Sequence, residues 1–344
     1  MPGWSVIPLP MMVWRMGKLV ATGEDIKGFA GCAPVALFVY NRPDHARLTI
    51  DALRANHFAG DTPLYIFSDA AADEASIEAV RQVRELIASI AGFASVTIVR
   101  RELNFGLANS IINGVGMLCN SYGRVIVLED DLITSPYFLQ YMNDALRIYE
   151  GDETVASVSA YMYPVKGTRS IGDAVFLEFP MSWGWATWRR AWALFDTDGR
   201  RLLEQLKSRG LLASFNRVGP GSFVRMLQAQ INGRNNSWFI RWHASLYLAG
   251  RRSLAPTRSL INNIGLDGTG VHCSQWLFDP FRVEPSQTAI RITAIPDTVD
   301  ATFKAALQSF FRKTRMLRYA NAIHRLMSKV LMRFGINLGR FNGR

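Results

Sequence analysis

Three consecutive carboxylates, Glu129-Asp130-Asp131, are the residues of this 344-residue chain whose types and spacing point most directly to chemistry. Adjacent carboxylates repel one another, and a hard divalent cation bound to oxygen ligands and to substrate phosphates is the common compensation. The acids follow residues 124–128 (RVIVL), a short apolar run with the composition of a buried strand. In open α/β sheets ligands sit beyond the carboxyl ends of the strands, where these acids would stand. A solvated acidic turn would carry the same tripeptide, so the other strand ends matter. Asn41-Arg42 follows an apolar run at 33–40, Ser68-Asp69 one at 64–67, and Asn104-Phe105-Gly106 one at 96–99. Arg42 suits a phosphate or a nucleobase, and Asp69 can accept from a base or a ribose. Each is an ordinary turn taken singly; together they form one polar rim.

The elements that must position this rim alternate regularly. Residues 33–40 (APVALFVY) are continuously apolar, as in a strand covered on both faces. Pro43 can open a helix that carries Leu48, Ile50, Leu53 and Ala55. Residues 74–90 place Ile77, Val80, Val83, Leu86, Ile87 and Ile90 on one helical face. Further helices are expected at 106–118 and 136–149. Four strand–helix alternations predict a mostly parallel sheet with helices on both faces. The second half is less regular: strands at 155–159 and 174–179, a tryptophan-rich stretch at 182–192, and a helix at 222–231. Residues 261–272 (INNIGLDGTGVH) read as a glycine-rich loop rather than an element.

Six stretches in this order carry a resemblance: APVALFVYNRP, LYIFSDA, NFGLANSIINGV, VIVLEDDL, SWGWATW and NNIGLDGTGVHC. Over about residues 33 to 275 the chain resembles bacterial family-2-like sugar transferases. More distantly it is similar to the Golgi N-acetylglucosaminyltransferase that initiates N-glycan branching. The resemblance implies the GT-A fold, with a nucleotide-binding half at 31–150 merged with an acceptor half at 151–295. It implies that Arg42 and Asp69 hold a uridine-like base, with Asn41, Asn104, Gly106 and Glu129 in the nucleotide site. Asp130 falls near the ribose of a DxD-like motif, and Asp131 is the direct ligand of Mn2+ or Mg2+. The activity implied is inverting transfer of a sugar from a nucleotide diphosphate, with UDP-sugars favoured, to a glycan or lipid-linked acceptor in polysaccharide or glycan assembly.

Inversion requires a general base for the acceptor hydroxyl. The stretch that corresponds to the Golgi enzyme's base region, Trp238-Phe239-Ile240-Arg241-Trp242-His243, has no carboxylate. Asp267, Asp196, Asp198 and His243 stay open as candidates, with Asp267 preferred and His243 as its alternative. Trp183, Gly184 and Trp185 are candidate acceptor contacts, because indole faces stack on sugar rings, although three tryptophans at such spacing also suit a core. The stretch 262–272 would close over the donor as a lid, with His272 on the acceptor side. His272-Cys273 lacks partner ligands for a metal.

Composition narrows the alternatives. The formal charge is +11, yet after Asp300 there are ten basic residues and no acidic one. Residues 1–300 therefore hold 29 basic against 28 acidic side chains. A nearly neutral body excludes a broad nucleic-acid surface. In a helix over 315–334 the basic residues gather opposite Met316, Ile323, Met327 and Val330. That pattern at 301–344 suits an amphipathic tail on an anionic membrane, or one packed on the body with a solvated basic face. No apolar run reaches the roughly 20 residues that span a bilayer. Residues 1–30 read as a poorly ordered lead-in, and three cysteines without a CxxC pair suit a reducing compartment. The expected place is cytoplasmic, peripheral on the inner membrane face. A sugar-phosphate nucleotidyltransferase would need a glycine-rich phosphate loop where Asn41-Arg42-Pro43-Asp44 stands. A non-enzymatic membrane-associated binding protein is the remaining alternative.

Overall fold

The first strand, β1 (Val35–Val39), is buried at five successive residues. Both faces of the sheet are therefore covered at this strand, as its unbroken apolar sequence requires. In the computed structural model, the residues described are 31–165, 172–219, 221–267, 279–296 and 298–333, with backbone alone from 318 onward.

Pro43 opens α1 (Pro43–Arg54), and β2 (Pro63–Ser68) follows. Next come α2 (Ile77–Ala88), β3 (Ser95–Arg100) and α3 (Gly106–Tyr122). Then β4 (Arg124–Glu129) leads into a short β5 (Leu132–Thr134) and α4 (Phe138–Ile148). The second half contributes β6 (Val155–Ser159), β7 (Ala174–Leu177), β8 (Trp185–Trp188) and α5 (Arg189–Trp192). A helical block follows, α6 (Gly199–Ser208), α7 (Leu212–Arg217), α8 (Phe223–Ile231) and α9 (Trp238–Leu248). The chain then forms β9 (Arg252–Pro256), β10 (Ile261–Asn263) and α10 (Ala301–Arg333).

Eight strands make one sheet in the order β3-β2-β1-β4-β8-β6-β9-β7. The expected α/β architecture, a mostly parallel central sheet flanked by helices, is the one observed. Strands β3, β2, β1 and β4 are all parallel, and β6 pairs parallel with β9. The antiparallel pairs are β4 with β8, β8 with β6, and β9 with β7. From β1 the chain winds outward through β2 to β3, then returns across α3 to place β4 on the other side of β1. The winding reverses there, and the carboxyl ends of β1 and β4 flank the reversal, which is where open α/β sheets bind ligands.

Two stretches differ from expectation. The tryptophan-rich segment supplies β8, an inner strand whose four residues are all buried, with Ala186 opposite Ile126 and Trp185 opposite Val127. Residues 261–263, expected within a loop, pair antiparallel with β5 through Ile261–Thr134 and Asn263–Leu132. A single 3₁₀ turn follows at Gly265–Asp267. The remainder of the expected lid, with His272 and Cys273, lies outside the described residues, as does the lead-in at 1–30.

The tail helix starts earlier than its amphipathic stretch, at Ala301. Asp300 Oδ1 accepts from Phe303 N at 2.7 Å, and Phe303, Leu307 and Phe311 bury themselves among Tyr161, Met162, Val175 and Phe179. Its first four turns are thus part of the body. Among the described residues no helix is long and apolar enough to cross a membrane.

Gly184 packs tightly against β10: its φ is +61°, and a Cβ there would overlap Ile261 Cδ1. Left-handed backbone and overpacking combine, so Gly184→Ala is expected to lower unfolding free energy by about 2–4 kcal/mol. Urea denaturation of the two proteins measures this, and equal midpoints would contradict the packing described.

Candidate functional site

The loop after β1 and the turn after β4 meet through charge. Arg42 Nη2 donates to Asp130 Oδ1 at 2.5 Å and to Asp131 Oδ2 at 2.9 Å. The backbone N–H of Tyr40 donates to Asp130 Oδ2 at 3.2 Å, so both oxygens of Asp130 are engaged. The turn itself is held from beneath by Thr49 of α1. Thr49 Oγ1 donates to Asp130 O at 2.9 Å and accepts from Leu132 N at 3.1 Å. Arg42, His45 and Thr49 fall at i, i+3 and i+7, one face of a helix. Pro43 starts that helix in the phase that turns the face toward the acids.

The strand β10 brings a further segment over the cluster. Ile264 N donates to Asp131 O at 2.9 Å, and Gly265 N donates to Asn263 Oδ1 at 2.8 Å. A Cβ on Gly265 would overlap Asp131 Oδ2 and press on Arg42 Nη1. Only glycine lets the chain lie this close. Two residues on, Asp267 Oδ2 lies 3.2 Å from His45 Nε2. Arg42, Glu129, Asp130, Asp131 and Asp267, all named from the sequence, are thus brought to one place, with Asn41 at the same strand end.

Asp69, Asn104 and Gly106 also come together, but mainly on each other. Asp69 Oδ1 accepts from Phe105 N at 2.8 Å and from Ala70 N at 2.9 Å, while Oδ2 accepts from Gly106 N at 2.8 Å. Asn104 Nδ2 donates to Ala70 O at 2.7 Å. This carboxylate caps α3 and ties it to the end of β2.

Electrostatics mark the acidic turn as short of positive charge. Burial pushes Glu129 up to about 8, with the charges of Asp131 and Asp130 adding to it and Arg42 opposing. Burial likewise pushes Asp130 up to about 6, against the pull of Arg42. For Arg42 burial works against the charge, but Asp130 and Asp131 outweigh it and its pKa is raised. One guanidinium thus faces three carboxylates. Its Nη1 is buried with no hydrogen-bond partner among the described residues, and an unmet buried donor is costly unless a ligand oxygen meets it.

Among the described residues no three of His, Cys, Asp and Glu are grouped closely enough to hold a metal by themselves. The donor chemistry nevertheless fits one hard divalent cation shared with a ligand. Carboxylate oxygens are the right type, the cluster carries excess negative charge, and nothing among the described residues hydrogen-bonds Asp131 Oδ1.

Other expectations are corrected. Trp185 is 1% exposed and stacks on Trp238 at 5.1 Å between Trp192 and Trp242, so it is core and unavailable to a sugar. Gly184 is buried beneath β10. Trp183 alone of that group stays half-buried, edge-on to Tyr161 at 4.6 Å and near Phe281. His243 is fully buried, stacked on Phe215 at 4.6 Å and edge-on to Phe223 at 4.4 Å, and neither ring nitrogen has a partner among the described residues. An acceptor hydroxyl cannot reach it. Asp196 is paired with Arg201 at 2.6 Å, and Asp198 caps α6. Sequence reading missed Tyr40, His45 and Thr49; the helical spacing of His45 and Thr49 from Arg42 was the available signal.

The chain matches no protein-family model and no curated protein sequence. The solved structures to which it is weakly similar include three sugar transferases. One is a mannosyltransferase from Pyrobaculum calidifontis in complex with GDP-Man and Mn2+, at TM-score 0.35 and 13% identity over 66% of this chain and 73% of its own. A second is glucosyl-3-phosphoglycerate synthase from Mycobacterium tuberculosis in complex with Mn2+, UDP and glucosyl-3-phosphoglycerate, at 0.30 and 16% over 53% and 68%. The third is S. aureus TarS, at 0.26 and 14% over 39% of this chain and 22% of its own. At TM-scores this low none of them bears weight on function.

Burial lowers the His243 pKa from 6.5 to about 3. Between those values the unfolded chain binds a proton that the folded chain refuses, so stability falls as pH drops through this window. The loss is about 1.4 kcal/mol per pH unit, or about 2 kcal/mol between pH 6.5 and 5. His243→Phe should lose that much less between pH 7.5 and 5.0 in urea titrations. Equal losses in both proteins would mean that the imidazole titrates normally.

Proposed function

We propose that this chain is an inverting glycosyltransferase of the GT-A type, moving a sugar from a nucleotide diphosphate to an acceptor hydroxyl. The observation that carries the reading is the Arg42 bridge. A guanidinium pinned to Asp130 and Asp131 at the reversal of the sheet keeps one buried donor unspent, where an anionic ligand would approach. A diphosphate supplies the oxygen that Nη1 lacks, and the acidic turn supplies the metal ligand that a diphosphate requires.

Asp131 is the residue that would hold Mn2+ or Mg2+, and a bound cation would offset the charge gathering on the diphosphate as it leaves. Arg42 orients the phosphates, and Asn41 with the capped β2–α3 junction at Asp69 frames the base. Trp183 offers the acceptor side a half-buried indole face. In the transfer step the acceptor oxygen attacks the anomeric carbon from the side opposite the diphosphate. The carbon–oxygen bond to the diphosphate breaks, its electron pair leaves with the phosphate, and the hydroxyl proton passes to the Asp267 carboxylate. UDP-linked donors and a glycan or lipid-linked acceptor in polysaccharide assembly are the favoured substrates.

Calorimetric titration with UDP and GDP, with and without Mn2+, tests the donor site. Binding of one nucleotide is expected to require Mn2+. Asp131→Asn should weaken that binding ten- to a hundredfold, as loss of about 1.5–3 kcal/mol from a charged contact implies. Unchanged metal-dependent binding in the variant would sink the assignment of Asp131.

We further propose that the basic end of α10 rests on an anionic membrane. Six basic residues follow Leu317, each contributing about 1 kcal/mol near such a surface. Truncation after Leu317 leaves the buried Phe303, Leu307 and Phe311 in place. The shortened protein should no longer sediment with phosphatidylglycerol vesicles, while the full chain should do so in a salt-sensitive way. Equal sedimentation of both proteins would contradict a membrane role for this segment.

A further inference from the structure

His45 and Asp267 form a pair that the donor site does not itself require. His45 Nε2 lies 3.2 Å from Asp267 Oδ2, bringing together residues from opposite ends of the catalytic body. His45 stands one turn after Arg42 on α1, on the face that also presents Thr49 to the acidic turn. Asp267 ends the 3₁₀ turn whose first residue, Gly265, lies against Asp131 and Arg42. The turn is fixed at its start by Ile264 N on Asp131 O, and His45 holds its other end.

Exposure separates the two roles. The imidazole side chain is 18% exposed and the carboxylate 41%, so the ring is mostly covered while the acid keeps access to solvent. A supporting group is expected to be enclosed, and a group that meets an incoming hydroxyl to be open.

We infer that His45 is a positioning residue: its Nε2, 3.2 Å from Asp267 Oδ2, holds the carboxylate at the mouth of the donor site, aimed at the acceptor hydroxyl. The inference rests on the glycosyltransferase reading and deepens it. In the step, the acceptor O–H proton moves to Asp267 while the acceptor oxygen bonds to the anomeric carbon and the diphosphate departs. His45 touches neither reacting atom and exchanges no proton. It restrains a carboxylate that ends a short turn.

The test separates rate from donor affinity. Wild type, His45→Phe and His45→Gln are compared for binding of UDP and GDP with Mn2+ by calorimetry. The same proteins are assayed for release of nucleoside diphosphate from UDP-glucose, UDP-N-acetylglucosamine and GDP-mannose, with water as acceptor. His45→Phe keeps the ring volume and loses the N–H. It should leave nucleotide affinity unchanged and lower the release rate about 10–100-fold, the scale of lost supporting hydrogen bonds. His45→Gln places an amide N–H where Nε2 was and should recover most of the rate. A His45→Phe rate equal to wild type, or a His45→Gln rate as low as His45→Phe, would overturn the inference while leaving the donor site standing. Wild-type binding without release from any of the three donors would overturn it too, because a poised base would activate water. Absence of nucleotide binding in the wild type would remove the donor-site reading and this inference with it.

Discussion

A guanidinium bridging two carboxylates across the reversal of a sheet is the constraint on which the rest of the site depends. Removing charges from water is expensive, and a buried pair repays that expense only when its geometry is good and its remaining donors and acceptors are met. Here the pairing of Arg42 with Asp130 and Asp131 is well formed, yet Nη1 is unmet and Glu129 adds a third acid. A purely structural bridge would gain from an apolar replacement. Groups left this way are held ready for something that brings both oxygen atoms and positive charge.

The surrounding architecture makes sense as support for that state. Thr49 satisfies the backbone of the acidic turn from below, and Tyr40 N satisfies Asp130 from the side. The β5–β10 ribbon delivers Gly265 and Asp267 from above. Tyr40 extends the framework outward, its hydroxyl meeting Ser76 Oγ at 3.1 Å and Ala72 N at 2.9 Å. The site is therefore built from three separate parts of the chain, each fixed by secondary structure. Misplacement of any one part would pull apart contacts made by the other two.

What could be read in the sequence was local. The strands at 33–40, 64–67, 96–99 and 124–128 announced themselves by continuous apolar composition, and the acids by standing at a strand end. Long-range pairing had no such signature. Trp185 and Gly184 suited a sugar platform on local grounds, and only the insertion of β8 beside β4 turns them into core. His243 was different, because its helix is apolar nearly all round, and such helices are buried. That signal was present in the residues and outweighs the chemical appeal of an imidazole. His45 was half legible: its phase with Arg42 is local, whereas its partner Asp267 arrives through a strand pairing that no nearby residue encodes.

The single helical face shared by Arg42, His45 and Thr49 makes α1 an indexing device. Successive residues on a helix are turned by about 100°, so one residue added or removed between Val39 and Pro43 would rotate the face away from the acids. The strand would be intact and the helix equally stable, but the three side chains would meet different neighbours. The spacing from strand end to helix start must therefore be kept if the three side chains are to keep their neighbours, whatever residues stand between.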